Sequence, residues 1–369
     1  MNMKIGLELE YWVVDERGRL TAVDELVAAH PCVTHEFVDS LLEIRVPPAE
    51  TAIHLRWLVT EILSTVLAAA NNCGKRLVPL GTPLSTHDLP IITKRGRILE
   101  RIYGAELQYA KHCAGTHIHF DRRNERRQLN LLTALDPAIA LVNSSPYYDG
   151  EHIASSSRAS VYRLDSTSQF SRYRDLWIYA DTLSEWETRI TSAYEILETT
   201  ARESGISDAA FAKCFCPENT VLTPVRLREV PPTIEWRAPD TAVPSQIIRL
   251  ADDVADLLSL TNDKEVVIGD SAPGIGTGSI VIPRFTELRT LSESAISDGL
   301  RSEAVRAYLR AFGFDISSYA PLAEEIEIEN GTAVTEEEAR ALRLRYAGRL
   351  EADVASLAPT TPRVPRKVT

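Results

Sequence analysis

Four short segments of this chain alternate ionisable and apolar residues with a period of two, and each puts glutamate, histidine or arginine on its charged side. In an extended strand, residues i and i+2 project from one face and i+1 from the other. Ile5-Gly6-Leu7-Glu8-Leu9-Glu10-Tyr11 therefore sets Glu8 and Glu10 opposite an aliphatic stripe. Leu42-Glu43-Ile44-Arg45-Val46 does the same with Glu43 and Arg45. Gly115-Thr116-His117-Ile118-His119-Phe120-Asp121 gathers both histidines with Asp121, and Thr233-Ile234-Glu235-Trp236-Arg237-Ala238 pairs Glu235 with Arg237. One such strand is an ordinary sheet strand with a solvated face. Four of them, biased toward Glu, His and Arg, point to a single sheet whose apolar face packs under helices and whose other face carries chemistry.

The remaining pattern predicts strands over 4–14, 41–47, 75–80, 115–121 and 233–238. Helices are predicted over 50–72, 124–142, 182–204, 245–261, 301–312 and 335–357, with Asn124 as an N-cap and 143–175 irregular. Strands interspersed with helices without a regular βαβ rhythm indicate an α+β fold. Residues 1–358 read as one domain, followed by a disordered Pro- and Arg-containing tail over 359–369. The glycine-rich run Pro273–Ser279 lacks the Gly-Lys-Ser/Thr ending of a phosphate-binding loop and reads as a flexible connection, with a lid over the site as the alternative.

Charge narrows the function classes. With 52 acidic against 40 basic residues and a net charge of −12, the chain has no basic stripe for releasing counterions from nucleic acid or for adhering to an anionic membrane. Glu8, Glu10 and Asp15 interrupt any apolar leader. The stretch Leu55–Ala70, broken by Arg56 and Glu61, is read as too short to span a bilayer. Five scattered cysteines fit the cytoplasm, and Cys214-Phe-Cys216 lacks a second pair to make a zinc site.

Several carboxylates facing one volume do not all stay ionised near pH 7 unless a cation sits among them. Oxygen ligands suit Mg²⁺ or Mn²⁺, and a histidine joins the shell for Mn²⁺ especially. Arginines beside such ions grip phosphate or carboxylate in bidentate fashion. That combination suits phosphoryl transfer, which needs charge neutralised and an attacker aligned more than it needs a covalent residue. A zinc hydrolase is the competing metal reading, though His117-x-His119 alone is a thin zinc set.

The same segments resemble the glutamate–cysteine ligase family, in its carboxylate–amine ligase branch. Ile5–Glu10 is similar to the opening G-x-E-x-E strand of that family, Leu42–Arg45 to its next acidic strand and Gly115–His119 to its G-x-H-x-H strand. Ser144-Ser145-Pro146-Tyr147-Tyr148-Asp149-Gly150, running to Ser157-Arg158, resembles its Ser-Ser-Pro-aromatic loop, and Thr233–Arg237 its T-x-E-x-R strand. The five matches occur in order over residues 4–240. The resemblance implies a glutamine-synthetase-like curved, largely antiparallel sheet with helices on one face and the active site on the other. It also implies ATP- and Mg²⁺-dependent formation of a γ-glutamyl phosphate and its capture by an amine, most simply that of cysteine.

By the same resemblance Glu8, Glu10, Glu43 and Glu235 hold metal, and His117 or His119 lies beside metal or nucleotide phosphate. Arg237 neutralises the transferring phosphate, and Arg158 or Arg163 grips substrate carboxylate or phosphate. Arg45 and Lys264 are further nucleotide contacts, although Asn262-Asp263-Lys264-Glu265 replaces the basic-aromatic run usual at that place in the branch. Glu235→Gln is expected to abolish turnover while leaving the fold intact. Another amine acceptor, a metal-dependent amide hydrolase and a non-catalytic nucleotide-binding relative stay open as alternatives, as does a homo-oligomer.

Overall fold

In the computed structural model, residues 3–85, 88–164, 169–269, 271–326 and 333–358 are described. The tail over 359–369 lies outside the described residues. The strands in chain order are β1 (Ile5–Asp15), β2 (Val33–His35), β3 (Leu41–Ala49), β4 (Lys75–Val78), β5 (Thr116–Asp121), β6 (Tyr147–Tyr148), β7 (Glu151–His152), β8 (Val225–Arg228), β9 (Thr233–Trp236), β10 (Glu265–Ile268), β11 (Gly274–Ile275) and β12 (Ser279–Ile282). Seven of them form the main sheet, in the order β2-β3-β1-β5-β9-β8, with β4 also paired to β1. Every pairing in this sheet is antiparallel. β5 takes Ile5–Leu9 of β1 and β4 takes Trp12–Asp15, so one long strand organises both ends of the sheet.

The alternation read from the sequence sets the layers. Leu7, Leu9 and Tyr11 of β1, Leu42 and Ile44 of β3, Ile118 and Phe120 of β5, and Ile234 and Trp236 of β9 are all buried in one apolar cluster. That cluster includes Leu55, Val59, Leu63 and Val66 of the helix Ala52–Asn72 and Ile247, Leu250, Ala251 and Val254 of the helix Pro244–Ser259. Fully burying each such side chain is worth about 1.5–3 kcal/mol. Thr51 caps the first helix, accepting from the His54 amide at 3.1 Å, which fixes its start one turn before the apolar stripe begins. This helix falls within the predicted 50–72, but at 21 residues it meets the length and hydropathy of a membrane span, which corrects the reading of Leu55–Ala70 as too short for one. Its stripe is instead spent on the sheet.

On the opposite face the charged alternation covers only the first half of β1. Beyond Glu10, Trp12 and Val14 sink into a second apolar cluster with Val78, Leu80, Tyr147 and Tyr346. This cluster closes one end of the charged face, so β1 is buried on both sides there.

Several elements differ from the sequence reading for local reasons. The predicted helix 124–142 is an α-helix over Glu125–Ala134 followed by a 3₁₀ turn over Asp136–Leu141, with Pro137 at the break. Asn124 does stand at the N-cap position, but it makes no side-chain capping bond; its amide donates instead to the Thr261 carbonyl at 3.0 Å. The glycine-rich run contains β11 and the turn from it into β12 in a three-stranded sheet. Gly274 has φ +146° and sits where a Cβ would come 2.8 Å from the Ala311 carbonyl, so the position takes only glycine. The strand β8 and the helices Lys94–Tyr103 and Phe285–Ser297 are additional to the predicted elements; the alternation in β8 spans only four residues.

Candidate active site

Antiparallel register carries the four charged strands into one array. Glu8 stands opposite Arg45 on β3 and His117 on β5, and Glu10 opposite Glu43. His119 stands opposite Glu235 on β9, which in turn faces Arg226 on β8. This array floors a cleft of about 790 Å³. Arg95, Leu99, Tyr103 and Leu107 line its other wall, from the helices Lys94–Tyr103 and Leu107–Lys111.

One half of the floor is acidic. Ligand atoms of Glu10, Glu36 and Glu43 lie within 4.8 Å of one another, and so do those of Glu8, His119 and Glu235. Burial and the charge of neighbouring carboxylates push Glu10 and Glu36 up to about 7 and Glu43 up to about 8. Three carboxyls held that close keep protons near neutral pH unless a cation replaces them. Glu10 also accepts from the Gly115 amide at 2.6 Å, which fixes its carboxyl at the start of β5. Glu8 behaves differently. Burial would raise it, but His117 Nδ1 at 2.9 Å and His119 Nε2 at 3.6 Å hold it well below the usual carboxylate range.

The other half is basic. Glu235 is fully buried and accepts from Arg226 Nε at 2.5 Å, Arg237 Nη1 at 2.5 Å and Arg228 Nη1 at 3.4 Å. Burial opposes its ionisation, but Arg226 and Arg237 hold its carboxyl far below 4.5. His117 is pushed down to about 4 by burial and by Arg237, so at pH 7 it is neutral. Its Nδ1 meets both Glu8 and Arg237 Nη1, the latter at 3.2 Å, and a neutral imidazole nitrogen serves one of them at a time. His119 Nδ1 lies 3.0 Å from Thr233 Oγ1, while its buried Nε2 has no hydrogen-bond partner and points among the Glu8 group.

These two acidic groups fit divalent cations: hard oxygen ligands, a histidine in one set, and carboxyls whose protons a cation would displace. Glu8, Glu10, Glu43, His117, His119, Arg45 and Arg237 all line the cleft, although Arg45 is largely exposed at its rim and donates to Glu43 at 2.6 Å; Glu235 does not reach the cleft surface and lies fully buried behind Glu8 and His119. Arg158 lines the wall too, but its Nη1 and Nη2 donate to the carbonyls of Ala238 at 2.9 Å and Arg237 at 3.2 Å. Its guanidinium lies so close over Gly115 that a Cβ there would come within 2.2 Å, which explains the glycine before the histidine strand.

Two expected residues are elsewhere. Lys264 does not line the cleft; its ammonium donates to the carbonyls of Gly276 and Thr277, each at 2.6 Å, and pins the β11–β12 turn. Arg163 is turned away from the cleft and forms a bidentate pair with Asp136 at 3.0 and 3.1 Å, both side chains buried. Breaking a buried pair leaves an uncompensated charge, so Asp136→Asn is expected to cost about 3–5 kcal/mol. Urea unfolding checks this, and a loss below about 1 kcal/mol would show that the pair contributes little. Sequence reading missed Glu36, Arg226 and Arg95. Arg226 lies two residues before Arg228 on one face of β8, a short alternation that was available; Glu36 and Arg95 enter from a loop and a helix and left no periodic signal.

No protein-family model and no curated protein matches the sequence. Solved structures do. A bifunctional glutathione synthetase from Pasteurella multocida superposes with TM-score 0.59 at 14% identity, covering 96% of this chain and 53% of its own. This chain thus spans about half the length of that protein. A glutamate–cysteine ligase from Francisella tularensis, solved in complex with AMP, superposes with TM-score 0.52 at 15% identity, covering 97% of this chain and 92% of its own. The antiparallel sheet, its charged cleft face and these superpositions agree that the chain has the fold of the glutamate–cysteine ligases.

Proposed function

We propose that residues 1–358 form a single catalytic domain with a glutamine-synthetase-like curved sheet, and that this domain is an ATP- and Mg²⁺-dependent carboxylate–amine ligase. The observation that carries the reading is the division of one cleft floor into two carboxylate groups and an arginine group. Glu10, Glu36 and Glu43, and Glu8 with His119 and Glu235, would hold Mg²⁺ or Mn²⁺. The cations would supply charge neutralisation and alignment of the nucleotide phosphates. Arg237 would meet the charge of the transferring phosphoryl group, Arg158 a carboxylate or phosphate at the cleft wall, and His117 and Arg45 the nucleotide. The γ-carboxylate of glutamate attacks the terminal phosphorus, and ADP leaves. The amine of a second substrate then adds to the acyl carbon of γ-glutamyl phosphate, loses a proton and expels phosphate. Cysteine is the simplest acceptor.

The reading places the enzyme in the cytoplasm, where its five free cysteines would stay reduced, acting on small molecules either alone or as a homo-oligomer. The test is purified protein with ATP, Mg²⁺, glutamate and each amino acid in turn, following ADP and phosphate. ADP formation that requires both glutamate and one amine is the expected result. Amide hydrolysis without ATP, or no ADP with any pair, would remove the ligase reading.

A further inference from the structure

The cleft wall opposite the sheet carries a cation that none of the motifs includes. Arg95, in the first turn of the helix Lys94–Tyr103, lines the cleft with its guanidinium partly buried. Its Nη2 donates to the Asn219 carbonyl at 2.6 Å and its Nη1 to the Cys214 carbonyl at 3.3 Å, and the Phe215 ring lies 4.7 Å below. These contacts fix the guanidinium plane but leave its charge without a carboxylate; among the described residues no ion pair to Arg95 occurs. Every other arginine that lines the cleft has one: Arg226 and Arg237 share Glu235, Arg228 has Glu218 and Glu235, Arg174 has Glu106, Arg45 has Glu43 and Arg158 has Asp240. Burial, and then the charges of Arg226 and Arg237, push Arg95 down to about 10, with Glu36 the main influence in the opposite direction.

A fixed arginine with no counter-ion, set against two others that share one carboxylate, is a site built for an anion. A carboxylate offers two oxygens and is satisfied by one bidentate arginine. A phosphoryl group in transfer spreads charge over three equatorial oxygens and draws on several donors at once.

We infer that Arg95 is a catalytic residue of the cleft roof that contacts the terminal phosphoryl group of the bound nucleotide from the side opposite Arg237. This assignment rests on the ligase reading above. It gives the roof helix a chemical role: the sheet supplies cations and Arg237 from below, and the helix supplies the last positive charge from above.

The test uses the full-length protein with Mg²⁺ and either ADP or the non-hydrolysable analogue AMP-PNP, reading the shift in melting temperature, alongside kcat and KM for ATP and glutamate. Arg95→Gln keeps a donor for the Asn219 carbonyl, and Arg95→Lys keeps the charge. In wild type, AMP-PNP is expected to raise the melting temperature more than ADP. In Arg95→Gln that extra increment is expected to vanish while the ADP shift stays, with kcat down about 10²–10³-fold and the KM for glutamate within about threefold. Arg95→Lys is expected to recover part of both. A variant that melts lower but keeps the full AMP-PNP increment would overturn the assignment and make Arg95 a fastener of the roof. A rise confined to the KM for glutamate would overturn it in favour of a carboxylate site. Absence of any nucleotide shift in wild type would overturn the ligase reading itself, and the assignment with it.

Discussion

Glu235→Gln is expected to cost stability as well as turnover, which departs from the expectation that the fold would stay intact. Glu235 is fully buried and is the shared partner of Arg226, Arg228 and Arg237. Gln occupies the same space but carries no charge, so Arg226, itself buried, is left without a counter-ion. Removing one partner of a buried ion pair costs about 3–5 kcal/mol, most of it the penalty of the stranded charge. The activity loss of about 10²–10³-fold expected for one transition-state contact would come on top of this. Thermal and urea unfolding of the variant beside wild type decide the matter. An unchanged unfolding midpoint would mean that the three guanidiniums are solvated well enough not to need Glu235, and the basic half of the cleft would have to be redrawn. The practical consequence is that lost activity in this variant does not by itself identify a metal ligand.

That consequence bears on how far the site was legible from sequence. Period-two alternation exposed Glu8, Glu10, Glu43, His117, His119, Glu235 and Arg237 because a strand displays its chemistry at fixed spacing, and antiparallel register then brought those displays side by side. It could not say which charges would neutralise one another. Glu235 reads as one more carboxylate beside Glu8, yet Arg226 makes it the anchor of the basic half, and that arginine comes from β8, a four-residue strand with no long alternation. Glu36 is delivered by the turn between β2 and β3, and Arg95 by a helix on the other wall; their partners in the cleft are remote in sequence, so no local pattern marks them. Arg163 shows the reverse error. It lies near the right loop in sequence, but Asp136, at the break of the preceding helix, captures it. The α+β class and the layer order followed from hydrophobic burial, which is periodic. The assignment of individual cations depended on long-range pairing, which is not.

Glu43 offers the cleaner test of the acidic half, because there the stability effect runs the other way. Burial, Glu36 and Glu8 push its carboxyl up to about 8, and Glu10 and Glu36 sit at about 7, against 4.5 in an unfolded chain. Between these limits the folded protein binds more protons than the unfolded one, so stability falls as pH rises. His117 opposes this lower down: its value of about 4 against 6.5 makes stability rise with pH between those two limits. Three carboxyls outweigh one imidazole, so a net loss is expected from about pH 4.5 to 8, steepest above pH 6.5 for each proton released because His117 no longer opposes it there. Glu43→Gln mimics the protonated form at every pH. Metal-free Glu43→Gln is expected to match wild type only near pH 4.5 and below, and to gain on it steadily up to about pH 8, reaching roughly 4 kcal/mol, with a flatter pH dependence. The exposed contact to Arg45 that it gives up is worth little.

With Mg²⁺ present the order should reverse. A cation replaces the shared protons in wild type, so Mg²⁺ is expected to stabilise wild type increasingly as pH rises through 7 to 8, and to stabilise Glu43→Gln far less. Turnover of the variant should fall to about 1% of wild type or lower, in line with the loss of one contact that acts on the transition state. Melting curves from pH 4.5 to 8.5, with and without Mg²⁺, read all of this in one series. If Mg²⁺ stabilised both proteins equally, Glu43 would be no part of a cation site. If metal-free wild type were as stable at pH 8.5 as at pH 6.5, the three carboxyls would not be sharing protons, and the case for a cation among them would lose its physical basis.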